Sequence, residues 1–299
     1  MICLVCGNKN EKEFTQYLSL DYLSQCQKCG MVFMSEIKQA ENYYQDKTSR
    51  EFDSAKQNTR FRNCCNRLGE FKNFLNRRMN ILDVGCNEGS FLKVARDAGY
   101  KITGLEPNTK LVEYARGQGL PVIEGTLEDF RPEQDFDVIT LFNVLEHLKE
   151  PKAALDKVRS LLAPAGFLVL EIPNIGSFLA KKMKEDWEMI TIEHFFYFSP
   201  KTIQSFLNNC GFKVRKISVR QFDEWHLGVK ESLTRLGFNL FKTKKYPPMA
   251  SPESKPAANI RRRKRVYVDS IRVVLSALVK IFKRGDYLLI VAQKCNENE

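Results

Sequence analysis

The sequence of 299 residues has no run of eighteen apolar residues, the length an α-helix needs to cross a bilayer, so no transmembrane helix is expected. Residues 1–14 lack the basic start and apolar stretch of a secretory leader, and the chain is expected to stay in the cytoplasm. In that compartment the nine cysteines should be thiols or metal ligands rather than disulfides. Histidine is scarce: only His147, His194 and His226 are present, which narrows the choice of a base that titrates near neutral pH. A G-x-G-x-x-G dinucleotide loop is absent. What remains is ordinary for a chain that buries a full core, with 43% hydrophobic and 28% charged residues.

Charge is unevenly spread. Of the net +11, most comes from residues 255–284, where ten Lys/Arg face one acid, Asp269. The positive charge therefore marks one local patch rather than a chain that is basic throughout.

Four regions follow from the patterning: a cysteine-bearing stretch at 1–40, a helical lead-in at 41–78, an alternating core from 79, and a basic insertion at 223–284 ahead of a final apolar strand. Apolar runs predict strands at 80–84, 101–106, 121–124, 136–141, 166–172, 212–219 and 287–293. Helical spacing falls between them at 90–98, 109–118, 151–162 and 199–209. That alternation predicts an α/β fold: a Rossmann-like, seven-stranded, mostly parallel sheet with helices on both faces. Gly99, Gly119, Pro164-Ala165-Gly166 and Gly211 punctuate the units, Gly211 as a helix stop.

In such a sheet, ligands bind beyond the carboxyl ends of the strands. The first strand ends in Gly85-Cys86-Asn87-Glu88-Gly89, where glycines permit a tight turn and the following helix offers free N–H groups. Glu106 closes the second strand 21 residues after Gly85, a spacing that suits an acid on ribose hydroxyls. These features alone point to a nucleotide-like ligand.

LDVGCNEGSF (82–91), GLEPN (104–108), GTLEDF (125–130), FDVITLFNVLEHL (136–148) and LAPAGFLVLEIPN (162–174), in that order, resemble class I S-adenosylmethionine (SAM)-dependent methyltransferases. The resemblance covers about residues 79–220 and rejoins at GDYLLIVAQK; the subgroup it most resembles carries an N-terminal zinc ribbon and a segment like EHFFYFSPKTIQSFLNNCGF. It implies domains at 1–40 (ribbon), 41–78 (lead-in) and 79–299 (methyltransferase domain with the insertion). It also implies roles. Asp83, Gly85, Cys86, Asn87 and Gly89 would form the loop around the methionine and ribose of SAM, with Glu106 on the ribose. Leu105 and Pro107 would flank the adenine, and the Leu127 backbone would meet its edge. Asn143 would lie at the methionine amino group. Two positions depart from the family pattern. Asn87 replaces a glycine, but asparagine tolerates left-handed backbone. Thr126 stands where many relatives carry Asp, which moves the expected adenine-amine contact to Glu128 or Asp129.

Cys3-x-x-Cys6 and Cys26-x-x-Cys29, nineteen residues apart, have the spacing of a closed four-thiolate zinc site, so a structural zinc is expected. Methyl transfer needs alignment first and, for an oxygen or nitrogen nucleophile, a base. His194 is the expected base, oriented by Glu193, while His147 belongs to the strand-four motif as a structural residue. The basic insertion carries Tyr267, Ile271, Val274, Leu275, Leu278 and Phe282 at spacings of three or four, one apolar face beside basic flanks. Residues 261–284 would thus suit an anionic membrane surface, or equally a helix packed on the domain.

The expected function is methylation, on oxygen or carbon, of a small-molecule acceptor: a sugar, glycan precursor or lipid-linked molecule. The alternatives are an rRNA or tRNA methyltransferase, ranked lower because the Lys/Arg are not interleaved with aromatic stacking residues, and a binding module that keeps the fold without turnover, against which the intact Asp83, Gly85, Gly89 and Glu106 argue.

Overall fold

The structure is a computed structural model that describes residues 2–36, 54–76, 78–220 and 285–295. The insertion at 223–284, with the apolar-faced helix expected in it, and residues 41–53 of the lead-in lie outside the described residues.

Strands that are apolar along their whole length must be covered on both faces. That is the situation of β4 (Asn80–Val84), β7 (Phe136–Phe142) and β8 (Leu162–Pro173), where Ile81, Leu82, Val138, Ile139, Leu141, Leu168 and Leu170 are fully buried. With β5 (Lys101–Glu106) and β6 (Val122–Glu124) they form parallel pairs. Two last strands, β10 (Phe212–Arg220) and β11 (Tyr287–Lys294), close the edge in antiparallel fashion, with β11 between β10 and β8. The order is β10-β11-β8-β7-β4-β5-β6, the seven-stranded, mostly parallel sheet expected. The covering helices include α2 (Ser90–Asp97), α3 (Thr109–Gly117), α4 (Pro151–Leu161) and α6 (Pro200–Asn209), with the shorter α5 (Phe178–Met183) between β8 and α6.

Local chemistry sets the ends of these elements. Asn108 caps α3 by accepting from the backbone N–H groups of Lys110 and Leu111. Ser199 and Thr202 form a capping box at α6, Pro200 occupies its first turn, and Gly211 follows it at φ +78°, as a helix stop requires. One boundary differs from the sequence pattern. Pro164-Ala165-Gly166 does not end a unit; β8 runs through it from Leu162. Ala165 takes φ +57°, and the β7 register shifts there, so that Phe136 faces Leu162 while Val138 faces Phe167. The chain bulges without leaving the sheet.

Helix α1 (Ser54–Phe71) packs on α2 and is tied to the sheet by charge. Arg67 reaches Glu171 at 2.5 Å, and Arg220 reaches the other oxygen of the same fully buried carboxylate at 3.3 Å. Removing either arginine would leave a poorly compensated buried charge.

The N-terminal segment makes a second sheet from β1 (Phe14–Tyr17), β2 (Leu20–Cys26) and β3 (Val32–Met34). It has a fourth strand from a distant part of the chain, β9 (Phe196–Tyr197), paired antiparallel with β3. Cys3, Val5, Cys26, Met31 and Phe33 belong to the same apolar cluster as the main sheet. The cysteine module is thus docked onto the α/β body. Among the described residues no helix is long and apolar enough to cross a membrane.

Candidate functional site

A cleft of about 940 Å³ opens at the carboxyl ends of the parallel strands, where the strand order reverses between β4 and β7. Its floor on the β4 side is the loop after Val84. Gly85 sits at φ +67°, and a Cβ there would come within 2.6 Å of Val144, so both backbone and space demand glycine. Asn87 adopts the left-handed conformation that its residue type tolerates, φ +54°, and its N–H donates to Glu106 at 2.9 Å. The second Glu106 oxygen accepts from the Asn108 N–H at 3.1 Å. These bonds aim the carboxylate into the cleft at the tip of β5, and burial holds its pKa above the ordinary range. Asp83 lies deeper. It accepts from the Thr140 hydroxyl at 2.6 Å, and burial pushes its carboxyl up to about 7.

Leu105, Pro107, Leu127 and Glu128 line the adjoining wall, as does Cys86, whose thiol burial pushes up and makes unreactive. Gly89 does not line the cleft. It stands behind the loop at the start of α2, where a Cβ would strike Leu120 at 2.4 Å, so it shapes the loop by close packing. Asp129 also stands apart from the cleft lining and accepts from Thr126 at 2.8 Å, whereas Glu128 faces the cleft. A cradle of this form, with a Gly-Cys-Asn turn, a helix start and a ribose-spaced acid, fits an adenosyl ligand with an amino-acid tail.

The far end of the cleft comes from β7 and from the loop before β9. Asn143 takes φ +56° and lines the cleft. Beyond it Glu146 and His147 occupy a single 3-10 turn. Glu146 is completely buried, neither of its carboxylate oxygens has a hydrogen-bond partner among the described residues, and burial pushes its pKa up to about 8. The rings of His147 and His194 meet edge to face at 4.7 Å. Nδ1 of His147 lies 2.8 Å from the Glu193 carbonyl, and Nδ1 of His194 lies 2.7 Å from the Met189 carbonyl. A carbonyl can only accept, so in each neutral ring Nδ1 carries the proton and Nε2 carries the lone pair. Thus His194 is set by Met189, while Glu193 supplies its carbonyl to His147.

The four N-terminal cysteines converge. Sγ of Cys3 lies 3.5 Å from that of Cys29, and Cys6 lies 3.7 Å from Cys26. All four sulfurs lie within 4.8 Å of one another. Sulfurs at about 2.3 Å from a tetrahedral ion stand about 3.8 Å apart, so the set fits such an ion.

Three features of the site carry little local signal in the sequence. Glu146 reads as one more residue of a strand-end motif until its burial is known. His147 reads as structural, yet the fold brings it against His194 from 47 positions away. Arg60 and Ser90, which hold Glu88 at the cleft rim, show nothing in the sequence beyond ordinary polarity.

The model of the methyltransferase domain family matches residues 56–217, more than half of the chain. Among curated proteins, the ubiquinone biosynthesis O-methyltransferase of Actinobacillus pleuropneumoniae is 33% identical over 106 residues, 31% of this chain and 45% of that one. The protein of the same name from Xanthomonas axonopodis is 26% identical over 164 residues, 48% of this chain and 67% of that one. The chain spans about half the length of the first of these relatives. A crystal structure of a SAM-dependent methyltransferase from Archaeoglobus fulgidus has the same fold, with a TM-score of 0.51 at 20% identity over 80% of this chain and 98% of that one. Motifs, strand order and family model agree: the chain belongs to the class I S-adenosylmethionine-dependent methyltransferases.

Proposed function

We propose that this protein methylates a hydroxyl group of a small-molecule acceptor, such as a sugar, a glycan precursor or a lipid-linked compound. The observation that carries the reading is one continuous cleft with Glu106 at one end and the paired imidazoles of His147 and His194 at the other. The ubiquinone biosynthesis O-methyltransferases among the relatives support oxygen as the methylated atom.

SAM supplies a methyl group already activated on a sulfonium, so the chain's task is mainly alignment. Glu106 would accept from the ribose hydroxyls, and Gly85, Cys86 and Asn87 would let the backbone approach the cofactor. Leu105, Pro107 and Leu127 would enclose the adenine, and Glu128 would receive its amine. Asn143 would hold the methionine end at the base of the acceptor side. Nε2 of His194 would take the hydroxyl proton as the acceptor oxygen attacks, with Met189 holding the ring in the required tautomer.

The test is calorimetric binding of SAM together with turnover. His194→Ala should lower turnover by about 10²–10⁴-fold, the usual contribution of a general base, while SAM affinity stays near that of the wild type. Unchanged turnover would remove His194 from the mechanism. Failure of the wild type to bind SAM would end the enzyme reading.

We further infer that Cys3, Cys6, Cys26 and Cys29 hold a structural zinc, since four thiolates at these separations leave no position open for a substrate. Peripheral contact of residues 261–284 with anionic lipid is supported by their sequence: basic flanks beside an apolar helical face.

A further inference from the structure

We propose that Glu146, His147 and His194 form a divalent-cation site at the acceptor end of the cleft, and that the cation takes the acceptor oxygen as an additional ligand. This rests on the methyltransferase reading, and it gives His194 the task of a ligand in place of that of a free base.

Three observations converge. The carboxylate and the two imidazoles come from separate places, the turn after β7 and the loop before β9, yet one donor atom from each lies within 4.8 Å of the others. They are close enough to meet on one cation by small side-chain movements. Second, Glu146 is sealed from solvent and lines the cleft, and neither of its oxygens has a hydrogen-bond partner among the described residues. Protonation does not remedy this, because a neutral carboxylic acid still brings a donor and an acceptor that need partners. A cation would satisfy the group at once. Third, each imidazole is held by a backbone carbonyl at Nδ1, which in the neutral ring leaves the lone pair on Nε2. Metal-bound histidines are oriented in this way by the groups behind them.

One carboxylate and two imidazoles suit a first-row divalent cation and leave coordination positions open. An acceptor hydroxyl in such a position becomes far more acidic. Its proton would pass to bulk buffer. The acceptor's new O–C bond then forms as the C–S bond of the sulfonium breaks, the electron pair staying on sulfur, and no oxidant or reductant is needed.

The test is titration of Mn²⁺ into the full chain, prepared with one equivalent of zinc, enough for the four thiolates alone, followed by electron paramagnetic resonance. Manganese competes poorly with zinc for four thiolates, so the ribbon does not contribute to the signal. The expected result is one bound equivalent in the wild type, weakened at least about tenfold by Glu146→Gln and by His147→Gln. Glu146→Gln keeps shape and removes charge; if it fails to fold by circular dichroism, His147→Gln, at a half-buried position, carries the comparison. A wild type that binds Mn²⁺ no more tightly than His147→Gln overturns the proposal. SAM binding is measured on the same samples: SAM bound without Mn²⁺ removes the cation site and leaves the methyltransferase reading standing, whereas Mn²⁺ bound without SAM does the reverse.

Discussion

Asp83 should make the unliganded protein less stable as pH rises through the neutral range, and Asp83→Asn should remove its share of that dependence. The carboxyl is buried beneath the cofactor loop with a pKa of about 7, against about 3.9 in an unfolded chain. Burial is the main cause and outweighs the Thr140 hydroxyl and Arg67, both of which favour the charged form; Glu106 and Glu88 act with burial. Below pH 4 Asp83 is protonated in both states and contributes no slope. Between pH 4 and 7 the unfolded chain has released the proton and the folded protein has not, so each pH unit removes about 1.4 kcal/mol from folding. Above pH 7 both states are ionised and the loss levels off. From pH 5 to pH 8 the loss attributable to Asp83 is therefore about 3 kcal/mol. Asparagine keeps an acceptor for Thr140 and cannot ionise. Urea unfolding of both proteins without ligand at pH 5, 6, 7 and 8 isolates the effect, because the other titrations cancel in the difference. The stability of Asp83→Asn relative to wild type should rise by that amount across the range. A difference that stays flat would refute the placement of Asp83 as a desolvated acid.

Two further outcomes follow from the geometry. Gly85→Ala puts a methyl group 2.6 Å from Val144 in a left-handed backbone position; it should lower stability by about 1–3 kcal/mol and weaken SAM binding more than tenfold, read by thermal unfolding and calorimetry. Cys26→Ser should release zinc, measured by elemental analysis, and expose residues 2–36 to limited proteolysis; retention of a full equivalent of zinc would reject the four-thiolate site.

The central sheet was legible because its strands are apolar runs between Gly and Pro signals, and because Gly211 marks a helix end by its own chemistry. The half of the cleft proposed for the cofactor was legible for a related reason: Gly85, Asn87 and Glu106 lie at ends of adjacent strands, so their spacing in sequence maps directly onto their spacing in space. The acceptor half follows no such rule. Strand β9 is two residues long, too short for any periodicity, and its partner β3 lies more than 160 residues earlier. The partner that sets the His194 ring is the backbone carbonyl of Met189, which any residue type would provide. The state of Glu146 depends wholly on what covers it. The sequence pattern likewise places a break at Pro164-Ala165-Gly166, where the bulge lets β8 continue.

This asymmetry bears on how acceptor choice is built. The proposed cofactor side is made from the loops after β4 and β5 with helix α1 at its rim. The proposed acceptor side is composite, because β3 of the cysteine module pairs with β9, and the Met34 N–H donates to the Phe195 carbonyl at 2.8 Å, one residue after His194. The loop ahead of β9 is fastened to itself as well: the Tyr197 hydroxyl donates to the Thr191 carbonyl at 2.9 Å and accepts from its N–H at 3.3 Å. His194 thus sits on a short span fixed at one end by the ribbon sheet and at the other by Tyr197. Loosening the ribbon would free the backbone that carries His194 while leaving Gly85, Asn87 and Glu106 untouched. Acceptor handling and cofactor binding should therefore separate in this protein, with damage to the cysteine module acting on the former and damage to the β4 loop on the latter.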